Sequence, residues 1–207
     1  MTAGLRRFLE PQAAQQPAAG TRCEMCAEPL GEEHSHVVGL DSRNILCTCR
    51  ACWLLFTHEG AAKGRYRAVP DRYLYEAAFR LGDAEWDELQ IPVRMAFFFR
   101  NSSLGRMVAF YPSPAGATES LLPLETWARS IGANPLAAEL VPDVEALILY
   151  RSSSGFHCYL TPIDACYELV GLVKLHWKGF DGGQEAWAAI DAFFAGLRRR
   201  CKVTDHG

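Results

Sequence analysis

Residues 22–53 read RCEMCAEPLGEEHSHVVGLDSRNILCTCRACW and hold five of the chain's eight cysteines and two of its six histidines. Cys23-x-x-Cys26 and Cys49-x-x-Cys52 are two knuckles with 22 residues between them. Paired knuckles at such a separation are the pattern of a tetrahedral thiolate metal site. Four thiolates with no open position make a structural clip, so one zinc ion on Cys23, Cys26, Cys49 and Cys52 is expected, with iron as the alternative. Zinc is favoured because rubredoxin-type iron knuckles carry a glycine just after the second cysteine, where Ala27 and Trp53 stand here. A Rieske centre needs two C-x-H units, which the stretch lacks.

The fifth cysteine, Cys47, lies two residues before Cys49. If that segment is extended, both side chains share a face, and either can serve as the third ligand. His34 and His36 alternate in the same way. Cys47, His34 and His36 are therefore alternate ligands, or hydrogen-bonded structural groups beside the metal.

Outside this stretch the composition is that of an ordinary globular chain. Its 207 residues are 49% hydrophobic and 22% charged, with a net charge of −3. That balance speaks against a nucleic-acid coat or an anionic membrane surface as partner. The opening MTAGLRRFLEPQAAQQPAAG has two arginines but no apolar core, so it does not read as a signal peptide. The longest apolar run, Val93–Phe99, is broken by Arg94 and too short for a bilayer. A cytoplasmic protein is expected, where closely spaced cysteines bind metals rather than form disulfides.

Three segments follow. Residues 1–20, rich in Ala, Gln and Pro, read as a mobile arm with one helical turn at Leu5–Leu9. Residues 21–69 form the cysteine module, with six basic and six acidic side chains. Residues 70–207 form an α+β domain. In it, VRMAFFFRN (93–101) and RMVAFYPS (106–113) flank SSLG, and VEALILYRS (144–152) and FHCYLT (156–161) flank SSSG. Both pairs predict β-hairpins. Pro123–Ser130 reads as a short helix stopped by Gly132. A longer helix is capped by Thr161 and runs from Pro162-Ile163-Asp164 toward Gly179. After GFDGG, a last helix puts Trp187, Ile190, Phe194 and Leu197 on one face and ends in Arg198–Arg200, where cations favour its dipole. The expected fold is α+β, with a small treble-clef or ribbon-like zinc module packed on an antiparallel-sheet domain with C-terminal helices.

Other candidates for chemistry are weaker. Cys166 falls near a helix start, which can acidify a thiol, with His157 or His176 as base and Asp164 as orienter. Gly182-Gly183 offers an anion site at the next helix start. YPSPAGATES (111–120) reads as a polar loop.

Two resemblances add to this. Cys23, Cys26, His36-Val37-Val38-Gly39-Leu40, Asn44 and Ile45-Leu46-Cys47 resemble the treble-clef zinc modules of HNH nucleases. The likeness breaks where nuclease chemistry resides. Ser35 stands where an Asp or His precedes the general base, and the residues after Cys52 are apolar. Across the chain, RCEMC, CTCRACWLLF, LQIPVRMAFFFRNS, VAFYPSPAGATES, PDVEALI and PIDACYELVGLVKLHWKGFDGG are similar to an uncharacterised bacterial family. Its members are encoded beside nickel–iron hydrogenase genes. The resemblance implies a non-enzymatic accessory or interaction protein with a hydrogenase subunit or maturation factor as partner. An iron or thiol-based redox protein, or an HNH-like nuclease, are the other readings.

Overall fold

A three-stranded antiparallel sheet grows directly out of the cysteine stretch in the computed structural model, which describes residues 22–58, 60–120, 129 and 131–205. The arm expected over 1–20, and all but Arg129 of the helix expected over Pro123–Ser130, lie outside the described residues. Strand β1 (Ser35–Gly39) turns back through β2 (Asn44–Thr48), which runs into the short helix α1 (Arg50–Leu54). Strand β3 (Tyr66–Ala68) pairs with the other edge of β1, giving the order β2-β1-β3. Knuckle, hairpin and helix follow one another as in a treble clef.

Among the described residues the larger sheet has seven strands in the order β10-β4-β9-β8-β5-β6-β7. In chain order these are β4 (Leu74–Glu76), β5 (Met95–Asn101), β6 (Arg106–Ser113), β7 (Gly116–Ser120), β8 (Glu145–Ser152), β9 (Gly155–Pro162) and β10 (Lys202–Thr204). All neighbours are antiparallel except β10 and β4. The helices are α2 (Asp83–Glu88), α3 (Pro135–Glu139), α4 (Asp164–His176) and α5 (Gly183–Arg200). Among the described residues, no helix is long and apolar enough to cross a membrane.

The central strands are apolar on both faces because both faces are covered. Phe97, Ile148 and Tyr159 point toward Leu169 and Val173 of α4 and Ile190, Phe194 and Leu197 of α5. Their strand neighbours Phe98, Leu147, Leu149, Cys158 and Leu160 point the other way, onto Trp86, Leu89, Ile131 and Leu136. Val38 of β1 and Val69 belong to the first of these cores, so the cysteine module shares apolar packing with the body. Arg67 Nη1 donating to Pro142 O at 3.0 Å reinforces the contact.

One buried ion pair ties three loops together. Glu145, 0% exposed at its side chain, accepts from Arg72 Nε at 2.9 Å and Nη2 at 2.7 Å, and from the Val141 amide at 2.9 Å. Arg72 also reaches the Glu139 carbonyl at the end of α3.

Both expected hairpins form, through Ser102–Gly105 and Ser152–Gly155. Two expectations are corrected. The polar loop read over 111–120 is the β6–β7 hairpin, with Tyr111 paired to Thr118. Thr161 does not cap a helix. It lies in β9 with its hydroxyl buried, and α4 starts at Asp164 behind Ile163. Residues 202–204, after the last helix, add a parallel edge strand. At Gly182-Gly183 the chain turns beneath an aromatic ring. Gly182 sits at φ 88° under the Trp177 ring, whose partner Trp187 donates its indole N–H to Asp181 O at 2.8 Å. A Cβ on Gly182 would come within 2.9 Å of that ring. Gly182→Ala is therefore expected to cost about 2 kcal/mol, combining left-handed strain with ring displacement. Gly179→Ala, at φ +68° with nothing within 4 Å of its Cβ, should cost only the strain. Urea unfolding of the two variants separates these contributions, and equal losses would remove the ring contact as a cause.

Candidate metal centre

Each knuckle is built by its own backbone. In the first, the Cys23 amide donates to Glu28 O at 2.7 Å and the Ala27 amide to Cys23 O at 2.8 Å. Closing that turn forces Ala27 to φ 65°, a left-handed conformation costing an alanine about 1 kcal/mol. Ala27 thus adopts the conformation a glycine would, so its residue type does not separate zinc from iron. In the second, Cys49 is the N-cap of α1 and its sulfur accepts from the Cys52 amide at 3.4 Å, which places Cys52 in the first helical turn.

The structure brings Cys23, Cys26, Cys49 and Cys52 together, with their sulfurs all within 4.8 Å of one another. Cys26 Sγ and Cys49 Sγ are 3.6 Å apart. Metal–sulfur bonds of about 2.3 Å place tetrahedral sulfurs about 3.8 Å apart, so the donor set fits one ion. Cys23 and Cys52 are buried, while Cys26 stands at the surface.

Electrostatics separate Cys23 from Cys52. Burial pushes Cys23 up, but the amides of Cys49, Cys26 and Met25, with the Cys26 thiol, outweigh it and bring Cys23 down to about 6. Contact with the Cys26 thiol, followed by burial, pushes Cys52 up to about 12. The metal-free cluster therefore favours a thiolate at Cys23 over one at Cys52, and a cation binds by displacing the protons still held.

Cys47 lies outside this set. It stands opposite His36 in the β1–β2 register, and its sulfur groups with one ring nitrogen each of His34 and His36, again within 4.8 Å. The Glu24 side chain accepts from the Cys47 amide at 2.6 Å, and the Glu24 amide donates to Cys47 O at 2.9 Å, clipping the first knuckle to β2. Burial, then the charges of Glu24 and Cys23, raises the Cys47 thiol above its ordinary range. A raised thiol is a weak nucleophile at neutral pH.

The remaining candidates are spread out. Asp164 does not orient Cys166. It holds His36 Nδ1 at 2.8 Å, tying β1 to the start of α4. Burial pushes Cys166 well above the ordinary thiol range, with Asp164 adding to the rise. Its side chain lines an apolar cleft of about 350 Å³ with Val38, Ile45, Phe97, Phe110 and Val170. His157 is held between Tyr75 OH at 3.0 Å and Ser152 Oγ at 2.9 Å, away from Cys166. Cys158 and Cys201 are also raised by burial, Cys201 to about 11. The cleft and the pairing of Cys47 with the two histidines escaped the sequence reading. Only the alternation of His34 with His36 pointed toward the latter.

Over residues 22–201 the sequence matches a family model described as "Family of unknown function (DUF5947)". No curated protein and no solved structure matches the chain.

Proposed function

The chain belongs to this family of unknown function, and we propose that it is a non-enzymatic accessory protein clipped by one zinc ion on Cys23, Cys26, Cys49 and Cys52. The observation that carries this reading is the four-sulfur cluster at the junction of knuckle and helix. When bound there, zinc cross-links two segments of chain and offers no open position. The residues just beyond the cluster supply a surface for a partner. Leu54 and Leu55 follow Cys52 and are 54% and 66% exposed. Exposed apolar side chains beside a rigid clip suit docking to another protein.

The partner is a subunit or maturation factor of a nickel–iron hydrogenase, and the chain assists that enzyme's assembly. This part of the proposal rests on the resemblance of the long sequence phrases alone. A cytoplasmic location belongs to the same proposal, since thiols at this spacing are kept reduced there.

The test is metal content by mass spectrometry, with a visible spectrum, on tag-free protein purified without air. A colourless protein whose zinc at the four-cysteine site is lost in Cys26→Ser is expected. Iron with a visible band would put an electron-transfer protein in its place. Mixing with purified hydrogenase subunits tests the partner. Binding weakened about tenfold or more by Leu55→Lys is expected, and no binding to any subunit would remove the hydrogenase role.

A further inference from the structure

We propose that His34, His36 and Cys47 form a second metal site, separate from the four-cysteine cluster, for a divalent first-row transition ion of the zinc class. The argument starts from strand geometry. His36 and Cys47 are directly opposed across the β1–β2 ladder, which places their Cβ atoms about 5 Å apart on one face. His34, two residues before His36, shares that face. The two imidazole rings lie 4.8 Å apart, centroid to centroid. The three donor atoms are already within 4.8 Å of one another. Bonds of about 2.0–2.3 Å draw tetrahedral ligands to about 3.3–3.8 Å, so a closing movement on the order of 1 Å completes the set.

Each ring has a partner of the kind that supports a ligating histidine. His34 Nδ1 faces the Gly31 carbonyl at 3.1 Å, and His36 Nδ1 faces the Asp164 carboxylate at 2.8 Å. Both partners only accept, so each Nδ1 carries the proton and each Nε2 carries the lone pair. A carbonyl or carboxylate behind the distal nitrogen is the usual support of a ligating histidine. Purely structural histidines would account for both Nδ1 contacts but not for His34 Nε2. That atom is buried and has no hydrogen-bond partner among the described residues. Buried nitrogens in this condition are rare, and a bound ion resolves it.

Three protein ligands leave a fourth position open, the arrangement of zinc sites that hold water or an exchangeable ligand. Both histidines also line a polar cavity of about 480 Å³ that includes Arg50, Asp164, Glu168 and Arg200. The fifth cysteine of the knuckle stretch is, in this arrangement, the thiolate of a second centre rather than a spare for the first.

The test is cobalt(II) titration of the full metal-stripped chain under anaerobic conditions, followed by visible absorption and by direct metal analysis. The wild-type chain is expected to take two cobalt ions. His34→Gln/His36→Gln should take one and keep the strong thiolate-to-cobalt band of the four-cysteine site. Cys26→Ser should lose that band and keep a weaker one from the Cys47 site. Asp164→Asn should lower affinity at the second site about 10- to 100-fold, since it weakens the support of His36. One cobalt in the wild-type chain, or two in the double glutamine variant, would overturn the proposal. The wild-type count decides the matter even where a variant misfolds. A failure here leaves the four-cysteine clip standing, because that site is read separately by its own band and by Cys26→Ser.

Discussion

Cys52→Ser is expected to release the ion of the four-cysteine cluster and to destabilise the chain by at least ~3 kcal/mol, because structural metal binding is folding free energy. In small zinc domains that binding is worth about 10–16 kcal/mol, and a serine hydroxyl is a poor substitute for a buried thiolate. Cys52 is the right residue to change. It is buried in the first turn of α1, and its sulfur meets Cys26, Cys49 and Cys23. Part of the module survives its loss, because Val38 and Val69 are anchored in the core shared with α4 and α5. The effect should therefore appear as early loss of the β1–β2–β3 sheet, with the seven-stranded sheet melting later. Urea unfolding followed by tryptophan fluorescence reads this through Trp53, whose indole N–H donates to Val69 O at 2.7 Å. Amide hydrogen exchange over Val37–Gly39 reads it locally. A chelator should do the same to the wild-type chain, and in the variant it has only the proposed ion at His34, His36 and Cys47 left to remove. If Cys52→Ser unfolds at the wild-type urea midpoint, the cluster is not a clip.

The second large effect lies far from any metal. Arg72→Met should cost about 3 kcal/mol, because it leaves the carboxylate of Glu145 buried without its cation. Glu145 is wholly inside, and its oxygens are engaged by Arg72 and by the Val141 amide. Arg72 itself is partly open to solvent, which lets water reach the orphaned site and holds the cost near the low end for a broken buried pair. The companion variant Glu145→Leu in the Arg72→Met background should recover part of the loss, since two apolar side chains need no mutual compensation, while the Val141 amide loses its acceptor. A double-mutant cycle in urea measures the coupling directly. Additive losses would mean that the pair is not held as a unit.

How far the sequence carried depended on how local each feature is. The hairpins over 95–113 and 145–162 were legible because each places two apolar runs around a four-residue turn ending in glycine, at Gly105 and Gly155. The four-cysteine site was legible because each knuckle is a local turn and the hairpin between them closes the gap. What escaped is pairing over long separations. β4 and β10 are three residues each and bond to one another across more than a hundred residues. Nothing in Leu74–Glu76 or Lys202–Thr204 announces the other. The strand at Gly116–Ser120 escaped because small and polar residues suit a sheet edge as well as a loop. Thr161-Pro162 reads as a helix start, yet pairing of β9 with β8 extends through Pro162 and delays the helix. Asp164 was read as an orienter for the neighbouring Cys166 and instead serves His36, 128 residues away.

The sheet order bears on how the chain is made. Strand β4, at residues 74–76, has β9 as its antiparallel neighbour, through Leu74–Leu160 and Tyr75–Tyr159. At a synthesis rate of about 5–20 residues per second, β4 leaves the ribosome roughly 4–17 s before its partner. All four clustered cysteines are already out by residue 52. Seconds pass in which all four cysteines have been synthesised and the seven-stranded sheet does not yet exist. Cells select among competing ions largely by what is available at the time. An ion captured at that stage would be set by what is at hand while the nascent chain is still growing, more than by relative affinity in the finished protein.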